Sequence, residues 1–168
     1  MKSPAHIWCL DALVGEYPNA MLVQTHRDPL RVIASLASLQ EVLRRLGMDE
    51  PDLIDIAHEW AEYVIEGLDR SVAARVDGTV RDERVVDVNF DAFMADPFGA
   101  IREVYEALGY DFTKAIEQRM RNFLATNPRD KHGRHAYTWE ATGLDRSYWR
   151  ERARPYQEYF DVPNETFA

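Results

Sequence analysis

Arg27 and Ser35 stand eight residues apart in the stretch MLVQTHRDPLRVIASLASL, Met21 to Leu39, where a run of strand formers gives way at once to a helical pattern. A guanidinium at the end of a strand holds a phosphate through a bidentate pair of hydrogen bonds. The N-terminus of the following helix favours an anion by about 0.3–1 kcal/mol. Two helical turns on, Ser35 donates a hydroxyl to the same group if the phosphate lies along the helix flank. In the alternative, Arg27 pairs with a nearby carboxylate and Ser35 is a small residue at a helix contact. A second cluster lies in NPRDKHGRHAY, where Arg129, Lys131 and Arg134 crowd around Gly133. A glycine among cations lets backbone approach a phosphate closely while the side chains neutralise it; the other reading is a solvated basic loop.

The elements that position these residues follow from periodicity. Met21 to Thr25 and Val85 to Phe90 are short, rich in β-branched residues, and expected to be strands. Asp28 is a candidate N-cap with Pro29 at the first helical position, and Val32, Leu36, Leu39, Leu43 and Leu46 recur at helical steps up to Gly47. A second helix is expected from Pro51 to Val76, with Leu53, Ile56, Trp60, Val64 and Leu68 on one face. Asp96-Pro97 opens a third that stops at Gly109, Thr113 to Ala125 forms a fourth, and Asp145 to Phe160 a fifth that Pro155 should kink or interrupt. Short strands separated by long helices imply an α/β fold with few parallel strands flanked by long helices, in one domain spanning residues 1–168. In such folds the ligand crevice lies beyond the carboxyl ends of the strands, where Arg27 stands.

Composition narrows the function classes. The chain has 168 residues, 46% hydrophobic and 29% charged, enough apolar material for one core. Its net charge of -9, from 29 acidic residues against 20 Lys and Arg, argues against nucleic acid as a partner but leaves room for a small anionic ligand in a locally basic pocket. No window resembles a membrane span and MKSPAHIW lacks the apolar core of a secretory signal, so a cytoplasmic location is expected. The single cysteine, Cys9, reads as a small buried hydrophobe, and no Cys/His cluster has the spacing of a metal site. His26 is expected to orient Arg27, and His58 to be solvated or partly buried.

YPNAMLVQTHRDPLRVIASLASL resembles the phosphate-binding segment of the sulfotransferases that use 3'-phosphoadenosine 5'-phosphosulfate (PAPS), in which a strand leads to Arg-[Asp/Asn]-Pro and a Ser follows eight residues after the Arg. Three further segments are similar, in the same order, to bacterial-type members: KSPAHIWCLDALVGEYPNA upstream, VVDVNFDAFMADPFGAIREVYEALG for a later strand and Asp-Pro helix, and NPRDKHGRHAYTWEATGLD for a late basic loop. The resemblance implies a P-loop-NTPase-like sulfotransferase fold. It implies that Arg27 and Ser35 bind the 3'-phosphate of PAPS, with Arg129, Lys131 and Gly133 of the loop adding contacts. His6 is the implied catalytic base and Lys2 a contact to the sulfuryl or bridging oxygen, although His6 follows Lys2 by four residues rather than the two of cytosolic members. The implied reaction moves a sulfuryl group from PAPS to an acceptor hydroxyl or amine of a small molecule, with no metal.

The family's usual Pro-Arg-Ser-Gly-Thr-like loop for the 5'-phosphosulfate is not found in this sequence, so the chain reads as a truncated, C-terminal portion of the domain. Such a portion is expected to leave an apolar strand edge that pairs with a second copy or with an N-terminal partner chain. Two other functions stay open. One is a non-catalytic nucleotide-binding or interaction module; the other is a kinase relative, which would need a Gly-Lys-[Ser/Thr] loop.

Overall fold

The computed structural model describes residues 2–128 and 137–167. Two strands, β1 (Leu22–His26) and β2 (Val85–Asn89), form a parallel pair in the register Leu22↔Val85 through His26↔Asn89. Seven helices surround them among the described residues: α1 (Leu10–Glu16), α2 (Pro29–Arg44), α3 (Leu53–Val76), α4 (Phe90–Ala95), α5 (Pro97–Ala107), α6 (Lys114–Thr126) and α7 (Arg146–Phe160). A 3-10 turn over Pro4–Trp8 precedes α1 and another, Glu140–Thr142, precedes α7. The α/β class and the positions of α2, α3, α5, α6 and α7 are as the sequence implies, with boundaries moved by one or two residues, while α1 and α4 are additional: β1 ends on His26, and α3 begins at Leu53 because the carboxylate of Asp52 caps Ile54 and Asp55.

The core is a helix sandwich of α2, α3 and α7. Leu30, Ile33, Ala34 and Ala37 of α2 meet Ile56, Ala57, Ala61 and Ile65 of α3, and Trp149 and Ala153 of α7 close the third side. The alanines let the helix axes approach so that the large side chains interlock. Trp139 is 2% exposed, its indole N–H satisfied by the Leu144 carbonyl at 3.1 Å. On α3 the expected face is upheld, with Ile56 and Val64 buried and Leu53, Trp60 and Leu68 packed against the core. On α2 the run at helical steps divides, with Val32 and Leu36 packed against the core. Burial falls on Leu30, Ile33, Ala34 and Ala37, while Leu39, Leu43 and Leu46 are exposed, because α2 is apolar on more than one side and only one side meets α3 and α7.

Three further expectations are corrected. Phe90 leaves the strand and starts α4, since Asn89 turns the chain at the end of the pairing. The interruption expected at Pro155 does not occur: the residue lies within a continuous α7, where Trp149, Ala153, Tyr156 and Phe160 are buried and their packing outweighs the lost backbone bond. Cys9 is exposed rather than buried, at the junction of the first 3-10 turn and α1, a segment with no fully buried residue. The first turn is anchored on α3 through Trp8, whose ring stacks on Tyr63 at 4.0 Å and donates to the Tyr63 carbonyl. Gly67 makes room for that indole: a Cβ there would lie 2.7 Å from the Trp8 ring.

Candidate functional site

The chain turns sharply where β1 meets α2. Asp28 is the N-cap of α2, fully buried, and every carboxylate lone pair facing the protein is used. Its Oδ1 accepts from the backbone N–H of Leu30 at 2.9 Å and from Arg150 Nη1 at 2.7 Å. Its Oδ2 accepts from Arg150 Nη2 at 3.0 Å and from the backbone N–H of Glu165 at 2.7 Å. One buried acid therefore caps a helix, pairs with α7 and pins the C-terminal segment. The same contacts revise the idea that the α2 N-terminus is a free anion cradle. Pro29 has no N–H, that of Leu30 is held by the Asp28 side chain, and that of Val32 by the Asp28 carbonyl.

The C-terminal segment reaches the site by a left-handed turn. Asp161 adopts φ 51°, ψ 48° after α7, a conformation short Asp tolerates, and Val162 N–H bonds back to the Gln157 carbonyl. Gln157 then donates to the Val162 carbonyl and to Asn164 Oδ1, and accepts from Arg150. These bonds fix residues 162–165 across the end of β1 and aim Glu165 at Arg27.

Arg27 stands at the carboxyl end of β1, as expected, and makes a bidentate pair with Glu165: Nε to Oε1 and Nη2 to Oε2, both at 2.8 Å. Those bonds hold the guanidinium above its ordinary pKa against partial burial. Phe90 lies under its face, 3.9 Å from guanidinium carbon to ring centroid, and sets its plane. Glu165 also faces Arg31, with Arg31 Nε 3.5 Å from Oε2. Arg31 makes no hydrogen bond among the described residues, and its Nε is buried without one. Its guanidinium lies 4.7 Å from the Phe167 ring and 5.3 Å from that of Tyr137. With Glu165 in place the crevice lined by Arg27, Asn89, Phe90 and Glu165 has a volume of about 10 Å³, the space of one water at most. A larger cavity, about 290 Å³, lies at the opposite end of the strands beside Leu22, Val80 and Arg84, away from these charges.

His26 does not orient Arg27 directly; it is 1% exposed and points the other way, into a polar chain. Its Nδ1 lies 2.7 Å from the Tyr156 hydroxyl and its Nε2 2.8 Å from Asp87 Oδ1. Arg75 binds the same carboxylate, at 2.7 Å to Oδ2. Burial pushes the Asp87 carboxyl up, but the bonds from His26 and Arg75 outweigh it and leave the pKa below the ordinary carboxylate range. Burial also raises the Tyr156 phenol, which stays protonated. This chain ties β1, β2, α3 and α7 together at the residue before Arg27.

The other expected site residues fall in different places. Ser35 is half-buried on α2, four residues after Arg31 and so on the same helix face. His6 is half-buried in the first 3-10 turn and Lys2 is exposed; neither lines the crevice at Arg27. Arg129, Lys131 and Gly133 lie outside the described residues. Among the described residues no group of acids, histidines and cysteines has a metal-binding arrangement. The sequence reading missed Arg31 and Glu165. Arg31 carried a local signal, since it sits midway between Arg27 and Ser35 at four-residue steps, whereas Glu165 is 138 residues from Arg27 and only the fold brings it there.

A sulfotransferase family model matches residues 1–114. The chain is similar over nearly its whole length to the crystal structure of sulfotransferase STF9 from Mycobacterium avium, with TM-score 0.85, 28% identity, and coverage of 98% of this chain and 42% of that one. Sulfotransferase STF1 from Mycobacterium tuberculosis H37Rv is similar with TM-score 0.70 and 27% identity, over 90% of this chain and 38% of that one. The omega-hydroxy-beta-dihydromenaquinone-9 sulfotransferase Stf3 of Mycobacterium bovis and of Mycobacterium tuberculosis is 25% identical over 154 residues, 90% of this chain. The chain spans 39% of the length of that relative.

Proposed function

Given that the chain belongs to the sulfotransferase family, we propose that it provides the seat for the 3'-phosphate of PAPS in an enzyme that moves a sulfuryl group to an acceptor hydroxyl or amine. The observation that supports this most directly is the Arg27 fork, closed in bidentate fashion on an oxyanion at the carboxyl end of β1. A carboxylate and a phosphate present the same pair of acceptor oxygens to a guanidinium, so the donor set fits a phosphate. Ser35 adds a hydroxyl from the α2 face, and Arg129, Lys131 and Gly133 are assigned to the same phosphate. In the transfer, the acceptor oxygen forms a bond to sulfur as the bond from sulfur to the 5'-phosphate oxygen breaks. The acceptor proton passes to His6, and Lys2 neutralises charge on the departing oxygen. The name of Stf3 indicates a hydroxylated lipid quinone as that protein's acceptor; for this chain the proposed acceptor class is a small-molecule hydroxyl or amine.

In a second reading the chain binds nucleotide through Arg27 and Ser35 without performing transfer, and His6, half-buried in the first 3-10 turn, is a structural residue. β1 and β2 pair only with each other among the described residues, and Val23 is 45% exposed. We propose that this open edge accepts a strand from a second copy or from a separate N-terminal partner; a monomer by light scattering at all concentrations, with no complex formed, counts against it.

The binding test is calorimetric titration with adenosine 3',5'-diphosphate and, in parallel, adenosine 5'-monophosphate. Preference for the 3'-phosphorylated nucleotide, lost in Arg27→Ala and weakened in Ser35→Ala, is the expected result. Equal affinity for the two nucleotides overturns the assignment. Transfer of label from PAPS then separates the enzyme from the binding module.

A further inference from the structure

Resting on the reading of Arg27 as a phosphate ligand, we infer that Arg31 is a second guanidinium of the same seat and that Glu165 is its internal occupant, displaced when a phosphomonoester binds. Arg31 is the unusual group. Its guanidinium is flanked by the Phe167 and Tyr137 rings at 4.7 and 5.3 Å, which orients it, yet its buried Nε makes no hydrogen bond among the described residues. Buried polar atoms are almost always hydrogen-bonded, and a planar cation held between rings, with its buried Nε unbonded among the described residues, is set for a further anionic oxygen. What it faces is Glu165, whose Oε2 lies 3.5 Å from Nε in an ion pair without a hydrogen bond, while the same carboxylate is closed on the Arg27 fork.

Geometry and charge both favour the exchange. A carboxylate offers two oxygens and one negative charge; a phosphomonoester offers three oxygens and close to two charges near neutral pH. Two oxygens satisfy Arg27 and the third is left for Arg31, whereas Glu165 spends both of its oxygens on Arg27 and stands 3.5 Å from Arg31. Of the other acids nearby, Asp28 is committed to Arg150, and Asp91 is exposed and screened by water. Exchange needs only a rotation of the Glu165 side chain, since its backbone N–H stays on Asp28 and the segment before it stays on Gln157. Arg31 and Ser35, one helical turn apart on α2, then carry the anion seat from Arg27 along the helix flank.

The test is titration of the full chain and its Arg31→Met, Glu165→Gln and Arg27→Ala variants with inorganic phosphate and with adenosine 3',5'-diphosphate. Circular dichroism checks that each variant is folded; Met keeps the Arg31 stem packed between the rings. A charge-assisted bond is worth roughly 1.5–3 kcal/mol, so Glu165→Gln is expected to bind both ligands at least about tenfold tighter and Arg31→Met at least about tenfold weaker than the unaltered chain. Nucleotide binding that depends on Arg27 but is the same in Arg31→Met and Glu165→Gln overturns the inference and leaves the 3'-phosphate reading standing. Phosphate binding with the expected dependence, and nucleotide no tighter than phosphate, supports the two-guanidinium seat and overturns the nucleotide reading. No binding of either ligand by any folded variant overturns both.

Discussion

Replacing Asp28 by alanine removes one side chain and severs three connections at once. The Leu30 N–H loses its cap, Arg150 loses its two bonds to the carboxylate, and the Glu165 N–H loses its acceptor. Loss of an N-cap alone costs about 1 kcal/mol. Breaking a buried ion pair by removing one partner costs about 3–5 kcal/mol, because the remaining charge stays in a poor dielectric. Arg150 is 24% exposed and keeps its bond to Gln157, so the lower part of that range applies. The two contributions share one carboxylate and are not added, which gives about 3 kcal/mol for Asp28→Ala. For a chain of this size each kcal/mol moves the midpoint of thermal unfolding by about 2–4 °C, so the fall is about 6–12 °C. Asp28→Ser restores an acceptor for Leu30 but not the Arg150 clamp, and is expected to recover about 1 kcal/mol. Urea denaturation of the three proteins, followed by far-ultraviolet circular dichroism, measures the differences. A loss under about 1 kcal/mol for Asp28→Ala would refute the idea that this acid holds the site together.

Tyr156→Phe leaves His26 Nδ1 buried without its partner at 2.7 Å, and is expected to destabilise the fold by about 1–3 kcal/mol in the same assay. Gly67→Ala drives a methyl group into the Trp8 indole; the expected result is a loss of about 1–3 kcal/mol and a change in tryptophan fluorescence as the first turn lifts from α3. Asp87 has a folded-state pKa below its unfolded one, so its contribution is complete above the ordinary carboxylate range and disappears as pH falls through the folded value. Stability measured against pH should therefore drop below about pH 4, and Asp87→Asn should flatten that acid limb.

The site was legible where its signals were local. A β-branched run ending in Thr-His-Arg, followed by an N-cap aspartate and proline, placed β1, Arg27 and α2 within a residue or two, because strand propensity, capping and proline act over a few neighbours. Helical periodicity placed α3 and its buried face for the same reason. On α2 it found the helix but not all of the buried face, because apolar residues occupy two faces and the choice between them is made by what packs alongside. Pro155 misled through a local rule that the packing of Trp149, Tyr156 and Phe160 overrides. The partners of Asp28 and Arg27 were beyond reach, since Arg150 and Glu165 lie 122 and 138 residues away and no periodicity links them. Arg31 is the instructive case: its position relative to Arg27 and Ser35 was visible, but that its buried Nε has no hydrogen-bond partner among the described residues is a property of the folded chain alone.

The most direct test of the account is a crystal structure of the chain soaked or grown with adenosine 3',5'-diphosphate. The account predicts the 3'-phosphate on the Arg27 fork, within hydrogen-bond distance of Arg31 and Ser35, with the Glu165 carboxylate turned away while its backbone N–H remains on Asp28. Nucleotide bound elsewhere, with the Arg27–Glu165 pair intact, would contradict it.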